Sequence, residues 1–238
     1  MRNQPKIIAH RGFFKSEPPT SENSLQSLKN AQQLPIFGSE FDIRLTKDHR
    51  LLVFHDEYFE NWKISHSDLE FLKTLKLSNN EGLPAFEDFL LQGKKTPKFK
   101  LVIELKPPVE EDLKKIMVEK CLNLITEKKM EDQVILISFS INICETIKKI
   151  NPQIHVQYLK GDLNPKEVSD LGIDGINYHY SVFLDQPSWI EDAKNLNLST
   201  NSWTVNEVEI YKKLNLMNID QITTDYPNLF IDIINENQ

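Results

Sequence analysis

The residues able to do chemistry crowd the start of the chain. His10-Arg11-Gly12 is followed by Glu22-Asn23, Glu40-Phe41-Asp42 and His55-Asp56, each at or just past the end of a short apolar run. In a strand, side chains at i and i+2 share a face, so Glu40 and Asp42 point the same way. Two adjacent buried carboxylates repel one another and lose hydration unless a cation or protons neutralise them, and a divalent metal is the economical partner. Glu104 and Lys106 repeat the i, i+2 spacing; Glu104 can complete an oxygen-ligand set and Lys106 offers a point charge for a phosphate oxygen.

His10 follows Ile7-Ile8-Ala9 and His55 follows Leu51-Leu52-Val53-Phe54. An acid and a base flanking one phosphorus are what phosphodiester cleavage requires, one to deprotonate a nucleophile and one to protonate the leaving alkoxide. Arg11 can present a planar fork to phosphate oxygens, and Asp56 can orient a histidine and stabilise its imidazolium, which makes His55 the expected proton donor. His49, His66 and His155 fall in a turn, a polar helix start and a strand beginning, and are assigned no chemistry; His179 is read as pocket lining or rim packing. Phe13, Phe14, Tyr58, Phe59 and Trp62 are candidates for an apolar lip over the site.

These groups need a frame that brings distant strand ends together. Strands are expected at 6–9, 39–45, 101–106, 134–139, 154–159, 175–178, 198–205 and 221–224. Helical apolar spacing falls at 24–33, 109–128, 141–150, 165–171, 188–196 and 206–214. Alternating β and α elements with short connections imply a parallel sheet, and eight such units favour a closed (β/α)8 TIM barrel over an open doubly wound sheet. The stretch 46–100 breaks the rhythm and is read as a small insertion after the second strand, within a single domain spanning 1–238.

Composition narrows the function. There are 28 Lys and Arg against 35 Asp and Glu, for a net charge of −7, and no basic stripe interleaved with aromatics, which argues against nucleic acid as a partner. The first strand begins too early for a signal peptide to precede it, and no apolar run approaches the roughly 18 residues that span a membrane, so the expectation is a soluble, cytoplasmic protein. Cys121 and Cys144 are expected to be buried free thiols.

The motifs resemble the glycerophosphodiester phosphodiesterase family in order along nearly the whole chain. The matching stretches are H-R-G at 10–12, E-N-S at 22–24, E-F-D at 40–42, L-T-K-D at 45–48 and H-D at 55–56. They continue with L-P-A-F-E-D at 83–88, E-L-K at 104–106, S-F-S at 138–140, W-T-V-N at 203–206 and T-D-Y-P at 224–227.

The resemblance implies a (β/α)8 barrel with Mg²⁺ or Ca²⁺ on Glu40, Asp42 and Glu104. It further implies His10 and His55 as acid and base, Arg11 and Lys106 on the phosphate, Trp203 as a pocket wall, and Glu22 and Asn23 bracing the first histidine. The implied activity is metal-dependent hydrolysis of a small-molecule glycerophosphodiester to glycerol 3-phosphate and an alcohol. The alternatives are a phospholipase-D-like or cyclising enzyme acting on lysophospholipids or sphingolipids, and, more remotely, a noncatalytic phosphodiester-binding barrel. Ser21 and Ser24 stand where the family usually has proline and threonine, and Ser24 remains a competent helix cap. After His55-Asp56 the chain reads Glu57-Tyr58-Phe59-Glu60-Asn61-Trp62, aromatic and acidic where the family often has an arginine and threonines.

Overall fold

The computed structural model describes residues 4–236. Eight strands form its core: β1 (Lys6–Ala9), β2 (Gly38–Leu45), β3 (Lys100–Leu105), β4 (Val134–Ser138), β5 (His155–Tyr158), β6 (Gly175–His179), β7 (Ser199–Trp203) and β8 (Gln221–Thr224). Each pairs in parallel with its sequence neighbours. β1 closes the ring against β8, from Lys6↔Gln221 to Ala9↔Thr224, and against β2 at Ile8↔Gly38 and Ala9↔Ser39. The architecture is the closed (β/α)8 barrel that the alternating pattern predicts.

Period two along each strand sorts its side chains. On β2, Phe41 leans outward onto Phe86 and Phe89, with ring centroids 6.2 and 4.6 Å away, which turns Glu40 and Asp42 into the barrel. The lumen has two characters. Ile8, Val102, Ile135 and Ile137 form an apolar cluster, whereas Gln157, Asn177, Asn201 and Thr223 are joined into hydrogen-bonded pairs.

The outer ring is α1 (Leu25–Gln32), α2 (Phe86–Gly93), α3 (Glu111–Lys128), α4 (Ile141–Ile150), α5 (Pro165–Asp170), α6 (Trp189–Asn195), α7 (Val208–Leu216) and α8 (Pro227–Glu236). Ser24 caps α1 as expected: its Oγ accepts from Ser27 N at 3.0 Å, and Ser24 N donates to Ser27 Oγ at 3.3 Å. A further short helix, Tyr180–Asp185, stands between β6 and α6. This helix, α2 and α8 are not among the expected helices. α8 covers the closing strands, with Phe230 stacked on Tyr211 at 4.8 Å.

The stretch 46–100 divides in two. Leu51–Val53 returns antiparallel to the end of β2, pairing Ile43↔Val53 and Leu45↔Leu51, and a hairpin joins Tyr58–Phe59 to Trp62–Lys63. With Leu69–Leu72 these segments enclose a satellite core that includes Leu52, Ile64, Leu69 and Leu83. The excursion ends there, because Phe86–Gly93 is the second helix of the barrel itself. The expected insertion is thus too long at its C-terminal end. α2 is only two turns long, too short for apolar spacing alone to separate it from the excursion before it.

Candidate active site

Asp42 on β2 and Glu104 on β3 are register partners, and Glu40 lies one inward rung below Asp42. One oxygen from each of the three buried carboxylates lies within 4.8 Å of the others. Burial, with Asp42 and Glu104 close by, drives the Glu40 carboxyl well above its ordinary range. Burial and Asp42 push Glu104 up to about 7 against the pull of Lys106. At Asp42 the burial penalty is overcome by Lys106, His55 and Arg11, which hold it at about 2. Lys106 Nζ pairs with Asp42 Oδ1 at 3.0 Å and with Glu104 Oε1 at 2.7 Å. Three buried carboxylates offset by only Lys106 and Arg11 form an all-oxygen set that fits a hard divalent cation such as Mg²⁺ or Ca²⁺.

The turn after β1 wraps this trio. Arg11 and Gly12 take φ of 52° and 82°, which aims Arg11 N at Glu40 Oε2 (2.9 Å) and Gly12 N at Glu40 O (3.2 Å). A Cβ at residue 12 would collide with the side chain and backbone of Ser27, so the turn requires glycine. Arg11 Nη1 donates to Glu22 Oε1 at 2.8 Å, while its buried Nε, 3.6 Å from Asp42 Oδ2, has no hydrogen-bond partner. Asn23 Nδ2 donates to Asp42 Oδ2 at 2.9 Å. Glu22 and Asn23 therefore brace Arg11 and Asp42 rather than the His10 ring, since Asn23, itself at φ 52°, turns its amide toward β2.

His10 Nδ1 lies 2.7 Å from Asp225 Oδ1, and its Nε2 is 4.0 Å from Glu40 Oε2. His55 Nδ1 lies 2.7 Å from Asp56 Oδ1, and Arg44 Nε donates to the His55 carbonyl at 2.7 Å. Burial depresses the His55 imidazole below its ordinary value, more than Asp42 and Asp56 raise it.

A cavity of about 140 Å³ gathers His10, Arg11, Glu40, His55, Glu104 and Lys106, with Trp203 on the facing wall. Trp203 Nε1 donates to Asn177 O at 3.0 Å, and its ring meets Phe139 and His179 edge-on at 5.5 and 5.3 Å. His179 is thus a packing residue against that wall. His49, His66 and His155 stay outside the cavity, and so do the candidate lip aromatics: Phe59 packs on Phe54 and Trp62 on Phe71 within the excursion.

Comparison with known proteins follows the same outline. The profile of the glycerophosphoryl diester phosphodiesterase family matches residues 10–229. The chain belongs to that family. It is 29% identical to the glycerophosphodiester phosphodiesterase of Caldanaerobacter subterraneus subsp. tengcongensis, over 96% of this chain and 97% of that one. The crystal structure of a glycerophosphodiester phosphodiesterase from Parabacteroides distasonis superposes with a TM-score of 0.97 at 34% identity, covering 100% of this chain and 99% of that one. An Oleispira antarctica phosphodiesterase, solved in complex with the product sn-glycerol-3-phosphate, gives a TM-score of 0.85 at 25% identity, covering 98% and 97%.

Three contributors to this family's site in the present chain escaped sequence reasoning. Asp225 carries His10, and Asn206 carries Asp225: its Nδ2 donates to Asp225 Oδ2 at 2.8 Å, and its Oδ1 accepts from Asp225 N at 2.9 Å. Both lie in stretches that match the family motifs, W-T-V-N and T-D-Y-P. The third, Arg44, continues the inward row of Glu40 and Asp42, so the same i+2 spacing could have found it.

Proposed function

We propose that the chain hydrolyses glycerophosphodiesters to sn-glycerol 3-phosphate and an alcohol in a divalent-metal-dependent reaction, with His10 and His55 moving the protons. The observation that carries this reading is the pairing of two histidines, each tied through Nδ1 to a carboxylate, beside the buried carboxylate trio and the cations Arg11 and Lys106. As a member of the family, the chain is a phosphoric diester hydrolase.

Glu40, Asp42 and Glu104 would hold the ion, which supplies Lewis-acid stabilisation of charge developing on the phosphoryl oxygens. Arg11, steadied by Glu22, offers its spare donors to a nonbridging oxygen, and Lys106 adds a point charge from the rim of the trio. Anchoring each Nδ1 leaves Nε2 of both rings free for proton transfer. The sheltered Asp225, at 16% side-chain exposure, stabilises an imidazolium better than the 71% exposed Asp56, so we assign His10 as the proton donor and His55 as the base. This reverses the order expected when Asp56 was the one visible partner.

The test is ³¹P NMR of glycerophosphoethanolamine and glycerophosphocholine turned over by the protein with Mg²⁺ or Ca²⁺. Glycerol 3-phosphate is the expected product. A persistent cyclic phosphate would instead identify the cyclising chemistry, and absence of turnover on both substrates would overturn the reading.

A further inference from the structure

Beside the catalytic cavity lies a second opening whose charges the proposed hydrolysis leaves unused. It is a cleft of about 70 Å³ between the hairpin of the excursion and the loop that leaves β3, and Lys106 lines both spaces. Arg44 and Lys63 line the cleft and not the catalytic cavity. Glu57 and Glu110 line it as well.

Both of its own cations are half-buried and lack partners. Arg44 Nε donates to the His55 carbonyl at 2.7 Å, but among the described residues neither Nη group makes a hydrogen bond or an ion pair. Neither Nη is sealed from solvent, in contrast to the enclosed Nε of Arg11, so four N–H donors of a planar fork stay open to the cleft side of the chain. Lys63 Nζ likewise has no hydrogen bond or ion pair among the described residues and meets only the Tyr58 ring, at 5.8 Å. The cations of the catalytic cavity differ: Lys106 is held by Asp42 and Glu104, and Arg11 by Glu22. A half-buried cation has given up hydration that a counter-charge restores, which points to an anion in the cleft.

Position and charge together define that anion. Arg44 follows Glu40 and Asp42 on the inward row of β2, one rung or roughly 7 Å beyond Asp42 toward the barrel mouth. A group bonded to a phosphorus at the trio and passing Lys106 therefore enters the cleft. The guanidinium fork matches a carboxylate, two N–H groups to two oxygens. Glu57 and Glu110 are exposed at the same cleft, where they oppose a dianion such as a phosphate monoester and favour an ammonium next to the carboxylate. We propose that the cleft receives an alcohol arm with a zwitterionic, serine-like head, its carboxylate on Arg44 and Lys63 and its ammonium toward Glu57 and Glu110. This assignment rests on the glycerophosphodiesterase reading given above.

The experiment measures kcat/KM for glycerophosphoserine and glycerophosphoethanolamine, which differ by the carboxylate alone, in wild type, Arg44→Gln and Lys63→Gln. Taking the ratio of the two substrates cancels any general loss of activity, including a loosened His55 when Arg44 is changed. Wild type is expected to favour glycerophosphoserine by at least about tenfold. The ratio should fall close to one in Arg44→Gln, and by at least about threefold in Lys63→Gln, a side chain whose removal breaks no hydrogen bond or ion pair. Equal turnover of the two diesters by wild type, or a ratio undiminished in either variant, would overturn the role of the cleft while leaving the proposed activity standing. Failure to cleave either diester would strike the activity itself, and this inference with it.

Discussion

His10 and Asp225 stand 215 residues apart in the chain, and their side chains meet at 2.7 Å. The contact joins the strand that starts the barrel to the strand that closes it. It makes the orientation of one of the two histidine rings proposed to move protons depend on closure of the whole sheet.

Asp225→Asn should therefore lower kcat about 10–100-fold with KM little changed, because the amide still fills the space but no longer stabilises an imidazolium. Steady-state kinetics on glycerophosphocholine, with circular dichroism to verify folding, provide the check. A variant as fast as wild type would remove Asp225 from the mechanism.

The division of labour between the histidines is read from the leaving group. An alkoxide must be protonated as it departs, whereas p-nitrophenolate leaves unaided. His10→Ala should be severely impaired on glycerophosphocholine and recover selectively on a p-nitrophenyl phosphodiester, while His55→Ala should lose comparably on both. Selective recovery of His55→Ala would exchange the two roles.

Removal of divalent ions should abolish turnover, with Mg²⁺ or Ca²⁺ restoring it. Binding to the folded state alone also raises stability, by about 2.7 kcal/mol at a hundredfold excess over Kd. The ion should accordingly shift Tm upward in wild type and not in Glu104→Gln. Full activity of a preparation shown to be metal-free would refute the requirement.

Stability at mildly acid pH should carry the mark of His155. Burial pushes this imidazole below its ordinary value, against Asp174 and with help from Lys148 and Lys100, while Nε2 lies 2.8 Å from Ser199 Oγ. The folded protein thus prefers the neutral ring, and the unfolded chain takes up a proton near pH 6.5. The stabilisation is complete above about pH 6.5 and is lost as the pH falls through the folded value. Urea midpoints should fall with acidification more steeply in wild type than in His155→Gln; parallel curves would contradict this account.

Gly12→Ala should destabilise the protein by about 1–3 kcal/mol and reduce activity, since the added methyl meets Ser27 at a positive φ and displaces the Arg11 N–H from Glu40. Denaturant unfolding and kcat/KM on the same preparation measure both effects.

Much of this site was legible because it is local. Period two put Glu40 and Asp42 on one face, apolar runs located all eight barrel strands, and motif order tied His10, His55 and Glu104 to one chemistry. What stayed hidden depends on closure. No spacing rule links Asp225 to His10. The boundary at Phe86 failed for another reason: helical periodicity reports that a helix exists, not which layer it joins.

The excursion hangs from the end of β2 by a short antiparallel ribbon, fastened at His55 by Arg44. Its satellite core, around Leu52, Ile64 and Leu69, is separate from the one beneath the barrel helices. One histidine thus stands at the end of a barrel strand and the other at the root of an appended lobe. The tip between Asp56 and Leu83 supplies no carboxylate to the trio, but it is stitched to the first βα loop, where Ser78 meets Ser21 and Asn79 meets Thr20, so a rewritten tip would be felt at the loop that carries Glu22 and Asn23.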